Sequence, residues 1–334
     1  MSLHIVTKRY LFIMVLAVCA LAVSCGGIKV RIGTAVEEPL KEHVIEGTER
    51  GKVLVIPVTG FLSDAAGKGF LESRPSVVQE VVSQLRRAEK DRDVRAVVLE
   101  INSPGGSITA SDILYREVID FKERAGVAVV AALMDVAASG AYYLALSADR
   151  IVAHPTTVTG SVGVILITPK VMGLMEKLGV AVEVDKSGRD KDIGSPFRAS
   201  TAEEQEIFHD LVDRLGGRFL ALVAIHRKIP PEDLKKISSA RIYLAEEAAR
   251  LRLIDEIGYL KDAIADAKRL AMLPQDARVV VYRRTTFPND NLYNTSAALR
   301  PGSPPSLIDL ALPEIIPPLS PGFYYLWMPG TGGE

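Results

Sequence analysis

Short, nearly unbroken apolar runs alternate along this chain with longer stretches whose apolar residues recur three and four positions apart. "KVLVIPVTGFL" (Lys52–Leu62), "VRAVVLEIN" (Val94–Asn102) and "VAVVAALM" (Val127–Met134) are of the first kind. Their length and β-branched content predict strands buried on both faces. "DRIVAHP" (Asp149–Pro155) and "VAVEVDKSG" (Val180–Gly188) predict two more. "PSVVQEVVSQLRRAEKDRD" (Pro75–Asp93) puts Val77, Val78, Val81, Val82 and Leu85 on one helical face, with Pro75 in the first turn. "ITASDILYREVIDFKERA" (Ile108–Ala125) predicts a second helix. "TAEEQEIFHDLVDRLGGRFLALVAIHRK" (Thr201–Lys228) predicts a long one, opened by a capping box of Thr201 and Glu204. This alternation predicts an α/β domain whose parallel sheet is covered on both faces. Such sheets place their sites in the loops after strand C-termini, where "NSPGGS" and "DVAASG" stand.

Both ends depart from the pattern. Lys8 and Arg9 precede "YLFIMVLAVCALAVSC" (Tyr10–Cys25), an uncharged apolar run. It is shorter than the roughly 20 residues a spanning helix needs and has the form of a signal-peptide core. It closes on "AVSCGG", small residues followed by Cys, which resembles a bacterial lipobox with Ala22 where Leu is common. Two outcomes are expected: Cys25 is lipidated after cleavage, or the run is a short signal anchor. Either holds the protein to a membrane with its body outside the cytoplasm. The resulting partition is 1–25 for targeting, 26–51 for a stalk or linker, 52–273 for the folded body and 274–334 for an extension. Residues 284–334 hold nine of the nineteen prolines, and "FYYLWMPG" (Phe323–Gly330) is apolar with the only Trp. An extended Pro-rich segment with an apolar end has the shape of a ligand that adds a strand to a sheet edge.

Composition removes several classes. The 334 residues are 48% apolar and 24% charged with net charge −1, so no overall field points to nucleic acid. The two cysteines, Cys19 and Cys25, both lie in the N-terminal run, which excludes a disulfide framework or Cys-based zinc site in the body. There is no HExxH, and no two histidines stand at ligand spacing, so no metal is expected. The chemistry narrows to Ser139 in "MDVAASGAYYLALSAD" (Met134–Asp149), which is either packing at a helix start or a nucleophile. A serine hydroxyl needs a base. His4 and His43 fall in the targeting and stalk segments, and His209 and His226 on the long helix. His154 stands on a strand end nearer the serine. "DKSGRDKDIGSPFR" (Asp185–Arg198) offers Lys186 and Lys191, which serve as bases only where burial disfavours their charged form. Taken alone, that segment reads as a surface loop and "SPGG" as a plain turn.

"INSPGGS", "MDVAASGAYYLALSADRIVAHPTTVTGSVGVI" and "KSGRDKDIGSPFR", in this order and spacing, closely resemble the S49 (signal peptide peptidase A) family of membrane-anchored Ser/Lys peptidases. The likeness runs from about Val53 to Leu273 and implies a single-copy domain. The implied fold is a ClpP/crotonase-like superhelix of repeated β-β-α units with a helical C-terminal part. Carried over, Ser139 is the nucleophile, Lys191 the general base and Ser161 the residue that orients the lysine. Gly106 is an oxyanion-hole donor, together with the backbone N–H of Ser139. No cofactor is implied. The implied reaction is endopeptide hydrolysis through an acyl-enzyme. Its substrates are remnant signal peptides and other unfolded segments, with small or apolar residues before the cut. The implied enzyme is a homo-oligomer on the extracytoplasmic (periplasmic) side, with serine and lysine meeting across subunit interfaces. Two positions depart from the family: Gly140 is followed by Ala141 where a second glycine is usual, and His154 stands where Asn is common. A tail docked on its own or a neighbour's substrate groove would be a regulator; packing on an unrelated surface or on the membrane is the alternative. Two other readings compete. A crotonase-like acyl-CoA enzyme predicts a cytoplasmic chain without a Ser/Lys pair, and the other is an inactive membrane-anchored scaffold of the same fold.

Overall fold

The computed structural model describes residues 39–65, 67–68, 73–284 and 322–327. The expected targeting segment and Cys25 lie outside these residues, as does most of the Pro-rich tail. Among the described residues no helix is long and apolar enough to cross a membrane. The strands are β1 (Lys41–Glu46), β2 (Glu49–Thr59), the short pair β3 (Gly67–Lys68) and β4 (Ser73–Arg74), β5 (Val94–Ser103), β6 (Gly105–Ser107) and β7 (Ala128–Ala138). They continue with β8 (Arg150–Ala153), β9 (Val158–Gly160), β10 (Ile165–Ile167), β11 (Ile242–Leu244), β12 (Glu256–Ile257), β13 (Ala277–Arg283) and β14 (Gly322–Leu326). The helices are α1 (Val77–Glu89), α2 (Ile108–Ala125), α3 (Gly140–Ala145), α4 (Met172–Leu178), α5 (Ala202–Arg227), α6 (Pro231–Ile237), α7 (Ala245–Arg250) and α8 (Leu260–Leu270).

A nine-stranded sheet runs β1-β13-β2-β5-β7-β8-β12, with β9 beside β7 and β11 beside β9. Strands β13, β2, β5, β7, β8 and β12 are mutually parallel. The period of two explains why the apolar runs are continuous. Val53, Val55, Val98 and Val130 face α8 through Leu260, Ala263 and Ile264. Their neighbours Leu54, Ile56, Val97, Leu99 and Val129 face α1 and α2 through Val81, Leu85, Leu114 and Val118. Helix α1 is capped by Ser76, which exchanges bonds with Gln79, so Pro75 stands one residue before the cap rather than in the first turn. Helix α2 ends on Gly126 in the left-handed region, and α5 begins at the expected Thr201–Glu204 box.

Three expectations are corrected. The expected stalk 26–51 contributes β1 and the start of β2, and the expected extension 274–334 contributes β13; β1 and β13 pair antiparallel at the sheet edge. Lys41–Glu46 is charged and partly exposed, as an edge strand is, and carries no apolar run to announce it. Val180–Gly188 forms no strand: Val180, Val182 and Val184 alternate as a strand would but have no strand partner among the described residues and stand 53%, 46% and 47% exposed. A second sheet of three strands, β10-β14-β6, is built partly from the tail.

Candidate active site

Strand β7 makes two sets of parallel partners. Val130–Leu133 pair with β8, and Val136–Ala138 with β9. Side chains hold the junction: Thr157 Oγ1 donates to the Leu133 carbonyl at 2.9 Å, Thr159 Oγ1 to the Ala137 carbonyl at 2.6 Å, and Asn102 Oδ1 accepts the Val136 N–H at 3.1 Å. The chain leaves β7 at Ser139 with φ 55° and ψ −118°, a conformation that costs a non-glycine residue of order 1–3 kcal/mol. The backbone on both sides maintains it. Ser139 N–H donates to the Gly160 carbonyl at 2.8 Å, and the Ser139 carbonyl accepts from Tyr143 N–H at 2.9 Å. The hydroxyl caps nothing. Ser139 Oγ is buried and has no hydrogen-bond partner among the described residues. Unbonded buried hydroxyls are uncommon, so helix-start packing does not account for it.

Ser161 follows β9 as Ser139 follows β7, also at positive φ (51°) and nearly buried, its N–H donating to the Arg241 carbonyl at 2.9 Å. Gly106 lies on β6. A Cβ there would come within 2.6 Å of the Leu62 nitrogen, so the backbone bridged to it at Leu62, rather than a visiting ligand, demands glycine. The expected pairing of Gly106 with the Ser139 amide changes, because that amide is committed to Gly160. The next residue borders the same place: a Cβ on Gly140 would stand 3.3 Å from Gly106 N and 3.0 Å from the Tyr325 carbonyl oxygen. A Cβ on Gly105 would overlap that same oxygen and stand 2.8 Å from Gly140 N. Gly105, Gly106 and Gly140 thus line a hollow beside Ser139 that accepts a carbonyl. The sequence reading did not single out Gly140 as lining this hollow; its place directly after the serine was the available signal. Ala141, the departure from the family pattern, is fully buried in the core.

The candidate bases are distributed differently. His154 ends β8 level with Met134, so five residues of β7, roughly 16 Å, separate it from Ser139. Its Nδ1 shares a 2.8 Å hydrogen bond with Thr156 Oγ1, and its ring packs edge-on against Tyr259. His226 bonds Tyr115 at 2.7 Å, with its pKa lowered by burial and then by Lys122 and Arg227. His209 is exposed on α5. In the lysine segment, Lys186 pairs with Asp192 at 2.6 Å, and Arg198 bonds both Asp192 and Glu204. Hydrogen bonds from Arg198 and Lys186 hold the Asp192 carboxyl well below its usual range. Lys191 is exposed, and its side chain has no ion pair or hydrogen bond among the described residues. Within one chain, therefore, Ser139 and Ser161 stand at the ends of adjacent strands, while Lys191 is not bonded to either.

Strand β14 lies antiparallel between β6 and β10, as the tail's composition predicts. Trp327 N–H donates to the Pro104 carbonyl at 2.9 Å. Antiparallel alternation then makes Tyr325 and Gly106 the next hydrogen-bonded pair. Among the described residues no group of His, Cys, Asp or Glu has the arrangement to hold a metal ion.

The model of peptidase family S49 matches residues 122–274, and the Clp protease model matches residues 71–158. The protein carrying the name signal peptide peptidase SppA in Enterococcus faecium is 33% identical over 75% of this chain and 72% of its own length. Protease 4 of Salmonella typhi is 34% identical over 67% of this chain and 35% of its own, so this chain matches about a third of that protein. A solved ClpP1 mutant from Listeria monocytogenes aligns with a TM-score of 0.40 and 18% identity over 63% of this chain and 94% of that one. Ser139 and Gly105, Gly106 and Gly140 lie within the matched stretches, and the chain belongs to peptidase family S49 as a serine peptidase of ClpP/crotonase-like fold.

Proposed function

We propose that this protein is a membrane-held endopeptidase in which Ser139 is the nucleophile and Lys191, from a second copy of the chain, is the general base. One observation carries the reading: Ser139 is held at a strained strand end with its Oγ buried, unbonded and beside a glycine-lined carbonyl hollow. The alternating Val180, Val182 and Val184, exposed and without a strand partner among the described residues, support assembly, and Lys191 in the same segment would leave water on such assembly. Burial on assembly would favour the neutral amine that a base requires.

Neutral Lys191 takes the Ser139 proton as Oγ attacks the peptide carbonyl, and the N–H groups of Gly106 and Gly140 receive the developing oxyanion. The C–N bond breaks, and the lysine returns the proton to the leaving amine. Water, deprotonated by the lysine, then cleaves the ester and restores the serine. Ser161, at the neighbouring strand end, orients the lysine. Peptides with a free extended backbone, such as remnant signal peptides and unfolded segments, suit a site lined by strand edges. Residues 1–25 hold the body on the extracytoplasmic face, through lipid on Cys25 or as a short anchor.

The test is peptide cleavage by the detergent-solubilised full chain. Ser139→Ala and Lys191→Ala should each lose at least about 10³-fold in kcat/KM, with His154→Ala near wild type. Mixing the two inactive variants should restore activity if the pair spans two copies. Loss in His154→Ala with activity kept in Lys191→Ala would replace the lysine by the histidine. An inactive but folded and assembled wild type would favour the scaffold.

A further inference from the structure

A lysine base must be neutral, yet the sequence sets Lys191 between two carboxylates, in "RDKD" (Arg189–Asp192). A carboxylate within about 4–6 Å of an amine favours its charged form. In the structure both neighbouring carboxylates are already engaged. Arg189 donates to the two oxygens of Asp190 at 3.0 and 3.4 Å. Asp192 is held on both of its oxygens: Arg198 Nε donates to Oδ2 at 2.8 Å, Arg198 Nη2 to Oδ1 at 2.9 Å, and Lys186 Nζ to Oδ1 at 2.6 Å. Arg198 reaches on to both oxygens of Glu204 in the first turn of α5. A lone surface ion pair contributes little. This set is bidentate, with the Asp192 and Glu204 side chains only 15% and 4% exposed, which makes its bonds strong ones. The loop is tied at its other end too, by Lys170 Nζ on the Ser195 carbonyl at 2.7 Å and Val171 N–H on the Pro196 carbonyl at 2.8 Å. Glu203 of α5 faces Arg189 and Asp190.

We propose that Arg198, helped by Lys186, is a positioning residue for the base: it withholds Asp192 from Lys191, so that the lysine carries no counter-ion when it meets Ser139. The proposal rests on Lys191 as the base and adds what keeps the lysine's own loop from disabling it. Asp192 stays ionised, because hydrogen bonds from Arg198 and Lys186 hold its carboxyl well below the usual range. Its charge is therefore present at every pH at which the lysine could act. Asp192 is the next residue after Lys191, so once released it can turn to the amine. A planar guanidinium suits the task, since one fork covers both oxygens of Asp192 and still reaches Glu204. The same fork fixes the loop to α5, so the place of the lysine and its freedom from a counter-ion are set together.

The experiment records kcat/KM of the detergent-solubilised full chain against pH for wild type, Arg198→Met, Asp192→Asn and the double variant. Circular dichroism and gel filtration check that each is folded and assembled. The acid limb of the profile reports the base in the free enzyme. Arg198→Met should move that limb up by about one pH unit, with the plateau above it within a few-fold of wild type. Asp192→Asn should not raise the limb. In the Asp192→Asn background, Arg198→Met should move it by about a third as much or less, because only a screened charge is then removed. Lys186→Met should shift the limb in the same direction by a smaller amount, and it replaces Arg198→Met if that variant does not assemble. A lowered plateau with an unmoved limb overturns the proposal, since Arg198 would then be structural only. Equal shifts with and without the Asp192 carboxylate overturn it as well, since Arg198 would then act by its own charge. Lys191→Ala separates the two readings. Full activity in that variant refutes the base, whereas an inactive Lys191→Ala beside an unmoved limb in Arg198→Met refutes the withholding of Asp192 alone.

Discussion

The Ser139 amide donates to the Gly160 carbonyl at 2.8 Å, tying the residue after β7 to the last residue of β9. Ser139, Gly160 and Ser161 all have positive φ, at 55°, 89° and 51°, so the bond joins two strained turns. At Gly160 a Cβ would stand 2.6 Å from the Tyr243 ring and 3.1 Å from the Arg241 carbonyl. Gly160→Ala should therefore cost about 1–3 kcal/mol in a urea melt. It should also lower cleavage more than the fraction unfolded explains.

Relief of the strained serine should be visible in stability. Ser139→Gly removes the side chain that opposes φ 55°, whereas Ser139→Ala keeps a Cβ there. Both variants should be inactive, with the glycine variant more stable than the alanine variant by about 1 kcal/mol. A lower unfolding midpoint for glycine than for alanine would show that the turn carries no such strain.

Gly140→Ala points a methyl at Ser111 Oγ, at the Tyr325 carbonyl and at Gly106 N. The carbonyl hollow should close in part. The expected result is a fall in kcat of about 10²–10³, as when one oxyanion donor is removed. Retention of full kcat would exclude this hollow as the site of the reacting carbonyl.

The Asp112 link between α2 and α5 gives a dependence on pH. Burial opposes ionisation of Asp112, but hydrogen bonds from Tyr143 and Arg218 outweigh it and hold the carboxyl below its ordinary value. A carboxyl with a lowered folded pKa contributes stability above its unfolded pKa, near 4, and loses it as pH falls through the folded value. Wild type should thus have a higher Tm than Asp112→Asn at pH 6, and the difference should shrink as pH falls below about 4. A difference that grows on acidification would contradict the direction of the shift.

Much of this architecture was legible in the sequence because double burial leaves a plain trace. Val53–Ile56 and Val97–Leu99 have no polar position to interrupt them, and both faces of their sheet are covered. Ser139 was legible as a choice between two readings, and its family likeness settled which to carry. What failed were strands defined by partners rather than by their own pattern. Lys41–Glu46 is a strand only because β13 lies beside it, and Val180, Val182 and Val184 alternate correctly with no strand alongside among the described residues. The commitment of the Ser139 amide to Gly160 was not legible for a different reason. Whether the Ser139 or the Gly140 amide is free depends on Gly160, whose carbonyl is brought there by the β7–β9 pairing.

Strand β14 is bonded along both of its sides, to β6 on one and β10 on the other. Any chain that takes its place must offer two bare backbone edges at once. A strand inside a folded sheet has none, a strand at a sheet's border has one, and only a chain released from its fold has both. On the proposed reading, a substrate taking the place of β14 is admitted by the number of backbone edges it leaves open, before any side chain is read.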